Sequence, residues 1–417
     1  MTGEGNLIKY SLLYIKTKDK IRRRKVVGVR KNRLRVVGIF VFVMAFILGQ
    51  GVIFQGFAAK KPYKIGGIFA ITGGASFLGE PEKNTARMIE EMVNARGGIY
   101  GHPLKLIIED TAGDETKAVN AVKKLIYRDH VLAIIGPSRS GTTMAVIPIV
   151  EKKGVLLVSC AAAEAIVSPV KKWVFKTPQK DSDAVRRIYE YMNKKGISRI
   201  AIITGTTGFG DQGRKKLKEL APDYGITIVA DETYSPKDTD MTAQLTRIKA
   251  TDAQAVVNWS IVPAQSIVPK NMRQLKMNIP LFQSHGFGNI KYVELAGEAA
   301  EGIIFPAGRL LAVDTLPDTN PQKDVLSFYK EEYEKRFKES VSTFGGHAWD
   351  ALWLVVNALE ETGPRPEAMR ENIEYTKEFV GTGGIFNFSP EDHSGLTKEA
   401  FEMLTVKGGK FVVLGED

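Results

Sequence analysis

Residues 65–71 read Ile-Gly-Gly-Ile-Phe-Ala-Ile, an apolar run that predicts a buried β-strand. The stretch that begins here decides the fold, because strand-like and helix-like segments alternate along it. Predicted strands at 65–71, 104–109 and 132–135 are separated by predicted helices at 82–95 and 116–128. This spacing implies right-handed βαβ crossovers, and therefore a parallel sheet with helices on both faces.

The alternation continues as far as residue 283, with one break at Phe175-Lys-Thr-Pro178. The remaining predicted elements are helix 142–152, strand 156–159, a helix beginning near residue 163, helix 181–194, strand 200–203, helix 210–220, strand 227–230, helix 241–249, strand 255–259, helix 263–275 and strand 281–283. Two doubly wound sheets in series follow from this pattern. In each sheet the ligand-accessible loops lie at the carboxyl ends of the strands.

The N-terminal region carries almost all of the chain's positive charge. The formal net charge is +11 for the whole chain and +10 for residues 1–35, which leaves +1 for the remainder. A globular part this close to neutral does not support binding to nucleic acid.

An apolar segment at 36–48 follows the basic region, and Gly56-Phe-Ala-Ala59 supplies small residues suited to cleavage. This order is typical of a secretory signal peptide. The alternative is an uncleaved anchor, because residues 36–59 reach the roughly 20 residues that span a bilayer. We therefore predict that residues 1–59 form a basic segment with a signal peptide or membrane anchor. The protein is then expected in the periplasm or elsewhere outside the cytoplasm.

Catalytic and metal-binding signatures are missing from the sequence. Cys160 is the single cysteine, so neither an intramolecular disulfide nor a multi-cysteine metal site can form. The phosphate-loop, His-Glu-x-x-His and Gly-x-Ser-x-Gly patterns are also absent. Asp238 and Asp240 are explained as polar residues before a helix. We predict a protein that is not an enzyme and that uses no cofactor and no metal.

Five segments carry a family resemblance: 66–79 (GGIFAITGGASFLG), 93–101 (VNARGGIYG), 109–111 (EDT), 135–137 (IGP) and 297–302 (GEAAEG). In this order they resemble the leucine/isoleucine/valine-binding branch of the type I periplasmic binding proteins. The resemblance implies an α/β fold with two doubly wound, Rossmann-like lobes joined by a three-strand hinge.

The resemblance also sets the expected lobe bounds. It assigns 61–178 with 307–380 to lobe one, and 179–306 with 381–417 to lobe two. The three crossovers then lie near Pro178, Pro306 and Thr382. Bending of a few residues there would let the lobes close on a ligand.

The function implied by the resemblance is that of the solute-binding component of an ABC importer of the branched-chain amino acid or amide type. Its expected partners are a small carboxylate-bearing ligand and a membrane permease, and the protein is expected to be a monomer. One alternative keeps this role but replaces the amino acid with an aromatic or other organic acid. A sensory ligand-binding domain is a further alternative, which would require an output segment beyond the last strand at 411–414.

In this family, hydroxyls and backbone amides at the start of a helix hold the ligand's carboxylate. The matching segment here is 136–143, which places Ser140, Gly141 and Thr142 at that position. A helix N-terminus attracts an anion through its free amides and its dipole. The alternative is that Ser140 or Thr142 only caps the helix.

Two positions depart from the family pattern. In the second loop of lobe one, Ala161 and Ala163 are candidate contacts, but Ala163 stands where the family typically carries a hydroxyl. In lobe two, His285 stands where the family places a carboxylate for the ligand's ammonium. A histidine does not replace a buried carboxylate as the partner of an ammonium. Both departures indicate a ligand without an α-ammonium.

Aromatic residues dominate the rest of the predicted cleft, which comprises Phe77 with its neighbour Leu78, Phe209, Trp259, Phe287 and Phe344. Such a lining suits a flat, apolar acid. For Trp259 and Phe344 the alternative is burial in the core. His347 is interpreted either as a ligand neighbour or as a histidine with satisfied partners elsewhere.

Overall fold

The computed structural model describes residues 60–415, which form two lobes, each built around one β-sheet. This confirms the predicted fold class of two doubly wound lobes. The predicted signal or anchor segment, residues 1–59, lies outside the described residues. Within residues 60–415, no helix has both the length and the apolar character needed to cross a membrane.

Lobe one contains a parallel sheet with the strand order β2-β1-β3-β4-β5. The strands are β1 (Tyr63–Phe69), β2 (Leu104–Asp110), β3 (Ala133–Ile135), β4 (Leu156–Ser159) and β5 (Val174–Lys176). The helices are α1 (Ser76–Ala95), α2 (Glu115–Lys124) and α3 (Ser140–Lys153). Apolar side chains of α2 and α3 form one buried cluster with Ile68, Ile134 and Leu157 of the sheet. The strand order reverses between β1 and β3, where such sheets place their ligands.

Lobe two repeats this winding in a seven-stranded sheet with the order β14-β13-β10-β9-β8-β6-β7. Its strands are β6 (Arg199–Gly205), β7 (Thr227–Tyr234), β8 (Ala255–Trp259), β9 (Leu281–Gln283), β10 (Ile304–Gly308), β13 (Phe401–Lys407) and β14 (Lys410–Val413). The first five are parallel, whereas β13 and β14 add antiparallel strands at the β10 edge. The helices are α4 (Asp181–Lys194), α5 (Gly208–Leu220), α6 (Thr242–Lys249), α7 (Ile267–Gln274) and α8 (Ile290–Ala296).

After β10 the chain returns to lobe one. Helices α9 (Lys323–Phe337), α10 (Thr343–Thr362) and α11 (Pro366–Glu374) follow, with α10 packed along α1 and against β3 and β4. A small antiparallel pair, β11 (Phe379–Val380) and β12 (Ile385–Phe386), comes before the last two strands. The segment after β12 packs on the edge of lobe one, where the amide of Lys176 donates to the His393 carbonyl oxygen at 3.1 Å.

The three connections between the lobes meet at the base of the cleft. Gln179 in the first connection donates through Nε2 to the carbonyl oxygen of Gly383 in the third, at 2.7 Å. A side chain at Gly308, which ends β10 before the second connection, would contact Gln179. The predicted second bound, after residue 306, falls inside this strand. Asp350 of α10 anchors the third connection by accepting hydrogen bonds from the amides of Thr382 and Gly383 at 2.6 and 2.7 Å.

Two predicted elements differ most clearly from those observed. Helix α1 begins at Ser76, six residues before the predicted start, and contains Pro81. Because proline lacks an amide hydrogen, the carbonyl of Phe77 has no intrahelical donor at this point. Asn289 of lobe two supplies one instead through Nδ2, at 2.9 Å. The helix predicted to begin near residue 163 is a single 3₁₀ turn, Glu164–Ile166.

Candidate ligand-binding site

A small cavity lies between the lobes, where the loops after β3 and β4 face the loops after β6, β8 and β9. Its volume is about 20 Å³, which is room for one water molecule. An amino acid or an aromatic acid therefore enters only if the lobes first move apart. The lining residues are Leu78, Ser138, Ser140, Cys160, Ala161, Ala162, Pro178, Phe209, Ile261, His285, Gly286, Phe344 and His347.

Five of the ten residues predicted to bind ligand line this cavity: Leu78, Ser140, Ala161, Phe209 and His285. The other five are not among its lining residues: Phe77, Gly141, Thr142, Ala163 and Trp259. Phe344 and His347 also line it; for Phe344 burial in the core, and for His347 partners elsewhere, are the alternatives that the sequence leaves open. Among the residues that sequence reasoning missed, Ser138 is the third residue after β3 and Cys160 directly follows β4. Their position at the carboxyl ends of parallel strands was the signal that could have identified them.

On the lobe-one side, the cavity meets the N-terminus of α3. In the described structure no side chain caps this helix, whose N-cap residue is Arg139. The Ser140 hydroxyl accepts a hydrogen bond from the Ala163 amide at 3.3 Å, so its own hydrogen remains available to a ligand. Thr142 donates to the Arg139 carbonyl oxygen at 2.9 Å. Neither hydroxyl acts as the cap, and the first amides of α3 are left for an anion.

On the lobe-two side, the wall is formed by Phe209 at the start of α5. The helix is capped by Thr207, whose hydroxyl accepts from the Gly210 amide at 3.1 Å. Trp259 lies behind this wall, with its ring centroid 5.7 Å from that of Phe209. It is completely buried against α5 at Gly213, where no side chain would fit. Trp259 therefore supports the wall instead of forming it.

His285 is a buried imidazole on the lobe-two side of the cavity. The rings of Phe209, Trp259 and Phe401 surround it edge to face, with centroids 5.3–5.6 Å away. Within the described residues, neither ring nitrogen has a hydrogen-bond partner. Burial, together with the nearby positive charge of Lys176, holds the pKa of His285 well below its usual range. The ring is therefore neutral at physiological pH.

A buried lysine lies next to the cavity floor, adjoining Pro178. The Nζ atom of Lys176 donates to the carbonyl oxygens of Pro178 and Gln179 at 2.6 and 3.1 Å. Burial lowers its pKa to about 8. His347 lines the same cavity, and burial together with the charge of Lys176 lowers its pKa to about 3. Both histidines of the site are therefore uncharged.

Glu82 lies behind the lobe-one wall and hydrogen-bonds to the Ser138 hydroxyl. That hydroxyl also accepts from the Ala70 amide at 2.9 Å. Burial raises the pKa of Glu82 well above its usual range. In the part of the chain that the structure describes, no aspartate or glutamate lines the cavity.

Phe77 lies outside the cavity. Its ring packs at 5.4 Å from that of Tyr292 and beneath the ammonium group of Lys291, which is 5.7 Å from the ring centroid. The amide of Ala163 bonds to Ser140, as described above. Phe287 is fully buried and stacks on Tyr292 at 5.8 Å. These three residues shape the surroundings of the site without facing into it.

The fold and the cleft between its lobes define a class of two-lobed binding proteins. A model of the periplasmic binding protein family matches residues 62–410, and the chain belongs to this family. Leu/Ile/Val-binding protein BraC3 of Rhizobium johnstonii is similar to the chain. It is 25% identical over 358 residues, which cover 85% of this chain and 94% of that protein.

Solved structures agree with this assignment. An extracellular ligand-binding receptor from Rhodopseudomonas palustris HaA2 is 26% identical, has a TM-score of 0.80, and is matched over 85% of this chain and 100% of its own. The branched-chain amino acid transporter substrate binding protein LivJ of Streptococcus pneumoniae, in complex with isoleucine, is 26% identical. Its TM-score is 0.76, with 85% of this chain and 99% of that chain covered. The resemblance found in the sequence is thereby confirmed, and the family is one of extracytoplasmic solute-binding proteins.

Proposed function

We propose that this protein is the extracytoplasmic solute-binding component of an ABC importer of the branched-chain amino acid or amide type. The observation that carries the proposal is the cavity between the lobes, which meets the uncapped N-terminus of α3. The names of BraC3 and LivJ support the same role. Delivery to a membrane permease by a monomer, after export directed by residues 1–59, belongs to this proposal.

Ligand binding uses one anion site and a mostly apolar enclosure. The carboxylate of the ligand accepts hydrogen bonds from the Ser140 hydroxyl and from the first amides of α3, where the helix dipole also favours negative charge. Leu78, Phe209, Ile261 and Phe344 then exclude water from the rest of the ligand. The two lobes close around it by bending at the three connections.

A second candidate ligand class is an aromatic or other organic acid. It is favoured by the absence of any acidic residue among those that line the described cavity. The aromatic rings of Phe209 and Phe344 and the uncharged His285 and His347 fit a flat molecule with few charges. The transport role is the same for both classes.

A thermal-shift screen of the purified protein tests the proposal. The compounds are L-leucine, L-isoleucine, L-valine, short aliphatic amides, short aliphatic acids, benzoate and 4-hydroxybenzoate. A ligand present at 100 times its dissociation constant stabilises the folded state by about 2.7 kcal/mol, which raises the midpoint clearly. Stabilisation by one or more carboxylates supports the anion site. Stabilisation by neutral amides alone, without stabilisation by any carboxylate, would refute the anion site.

A further inference from the structure

A carboxylate lies directly behind His285. Asp181, the first residue of α4, is completely buried, and its Oδ1 atom lies 3.8 Å from Nε2 of His285. Oδ2 accepts a hydrogen bond from the amide of Glu164 at 3.3 Å. Within residues 60–415, Oδ1 has no hydrogen-bond partner and neither has either nitrogen of His285. Buried polar atoms without partners are rare, so three at one place require an explanation.

The chemistry of the two groups determines which hydrogen bond they can form. An ionised carboxylate only accepts, and a neutral imidazole carries its single proton on one of its two nitrogens. A hydrogen bond to Asp181 therefore fixes that proton on Nε2. Nδ1 is then left with a free lone pair and becomes an acceptor for a group outside the protein.

We infer that Asp181, acting through His285, positions an acceptor for a hydrogen-bond donor on the ligand. The inference rests on the proposed function and specifies its ligand: a carboxylate that also carries an ammonium or hydroxyl donor. Binding then gives Nδ1 of His285 a partner. Asp181 and His285 both belong to lobe two, so the 3.8 Å between Oδ1 and Nε2 shortens to a hydrogen bond by a small shift of the imidazole ring towards Asp181, and not by movement of the lobes. A histidine at position 285 thus transmits the charge of a carboxylate that does not itself line the cavity.

The charged groups around Asp181 define the pH range in which this arrangement operates. They are Lys176 beneath the cavity, Glu164 after β4 and Lys216 of α5, while His285 itself faces Lys176 and His347. Burial raises the pKa of Asp181 to about 7, against the opposing effect of Lys176, and lowers that of Lys176 to about 8. Both groups are charged mainly between these values. Below pH 7 Asp181 gains a proton and loses the negative charge that strengthens the hydrogen bond from His285.

Titration calorimetry on the full chain with two matched pairs of probes tests the inference. One pair is L-leucine and its deaminated analogue 4-methyl-2-oxopentanoate, and the other is 4-hydroxybenzoate and benzoate. In whichever pair binds, D181N is expected to lower the affinity for the donor-bearing member at least tenfold. The affinity for the donor-free member should stay unchanged. The affinity of wild type for the donor-bearing member should fall from pH 8 to pH 6, and D181N should remove this dependence.

D183N is the matched control, because Asp183 lies in the same first turn of α4 but pairs with Arg186 at 2.8 Å. It should leave all four affinities unchanged. Equal weakening of both members of a pair by D181N would overturn the inference, and so would the same selectivity in D183N. The pair that binds also distinguishes an amino acid from a hydroxylated aromatic acid.

A ligand-free measurement separates this inference from the proposed function. Nitrogen-15 spectra of the five histidines, with His285 identified by its loss in H285Q, report which ring nitrogen carries the proton. At pH 7.5 we expect neutral His285 with its proton on Nε2. A proton on Nδ1 would overturn the inference even if a carboxylate binds. Failure of all carboxylates to bind would end the proposed function and the ligand class named here, even if the spectra place the proton of His285 on Nε2.

Discussion

Gly141 and Gly208 lie opposite each other across the cleft, so close that a side chain at Gly208 would collide with the backbone of Gly141. A Cβ atom at Gly208 would lie 2.8 Å from the amide nitrogen of Gly141 and 2.9 Å from its Cα. The two residues stand in the first turns of α3 and α5, so the N-termini of two helices converge on one point. Their positive dipole ends repel each other there, and the carboxylate of a ligand would reduce this repulsion in addition to the Glu115 carboxylate, whose Oε1 lies 2.6 Å from the Cβ position of Gly141. Closure and anion binding are therefore linked.

Gly208→Ala is expected to prevent full closure, because the added methyl group collides with backbone that cannot rotate away. We expect ligand affinity to fall by about tenfold, which corresponds to about 1.4 kcal/mol. Titration calorimetry measures the affinity, and small-angle scattering measures whether the ligand-bound form still becomes compact. Gly74→Ala is the control, since no atom lies within 4 Å of its Cβ position. Unchanged binding by Gly208→Ala would mean that the bound form is more open than the described one.

Ser140→Ala should weaken every carboxylate that binds, whatever its side chain. The hydroxyl donates to a charged acceptor, and such hydrogen bonds contribute about 1.5–3 kcal/mol. The expected loss is therefore roughly tenfold to a hundredfold in affinity. Thr142→Val is the matched comparison, because the Thr142 hydroxyl already donates to the Arg139 carbonyl. Its affinity should stay within about twofold of wild type. Equal losses in both variants would indicate damage to α3 instead of a lost ligand contact.

Much of the fold could be predicted from periodicity alone. Helix 181–194 and strands 156–159, 255–259 and 281–283 have the predicted bounds. The helix follows the helical period, and the three strands are short, mostly apolar runs that the structure buries completely. The first turn of α1 escaped prediction since Pro81 is typical of a helix start. The Phe77 carbonyl oxygen, which Pro81 leaves without a donor inside the helix, accepts a hydrogen bond from Asn289, more than two hundred residues away in the sequence. No local pattern contains that contact.

Part of the lining of the candidate site could be predicted from residues that come soon after strand ends. Ser140, Phe209 and His285 come soon after strand ends, and all three line the cavity. Trp259 also ends a strand, but its side chain faces α5 instead of the cleft, which sequence position does not determine. Asp181 gave no signal, because it looks like an ordinary acidic residue in the first turn of a helix. Its relation to His285 exists only in three dimensions.

The pH dependence of stability should reflect Asp350. Burial raises its pKa to about 7, although Thr382 and Gly383 donate to its oxygens. A carboxyl group whose folded-state pKa is raised stabilises most at low pH, and that contribution is lost as the pH rises through 7. We expect the unfolding free energy of wild type, relative to Asp350→Asn, to fall by about 1–3 kcal/mol between pH 5 and pH 8. Urea titrations at each pH measure it. A flat difference would show that the hinge amides keep Asp350 ionised throughout.

The Phe77 carbonyl released by Pro81 offers a test of the contact between the lobes. Asn289 donates to it through Nδ2, while its Oδ1 accepts from the Lys291 amide at 3.0 Å and caps α8. Asn289→Asp keeps the cap but removes the donor, and it turns a negative charge towards the carbonyl. We expect this variant to weaken ligand binding fivefold or more, since a lost hydrogen bond costs about 1 kcal/mol and the repulsion adds to it.

The loss should come from faster release of ligand, because the contact between Asn289 and Phe77 joins the two lobes only when they are closed. Stopped-flow dissociation measures this rate. Pro81→Ala is the complementary variant: it gives α1 an amide that competes for the Phe77 carbonyl, so the added effect of Asn289→Asp should shrink in the double mutant. Strict additivity of the two changes would show that Pro81 does not create the acceptor that Asn289 uses.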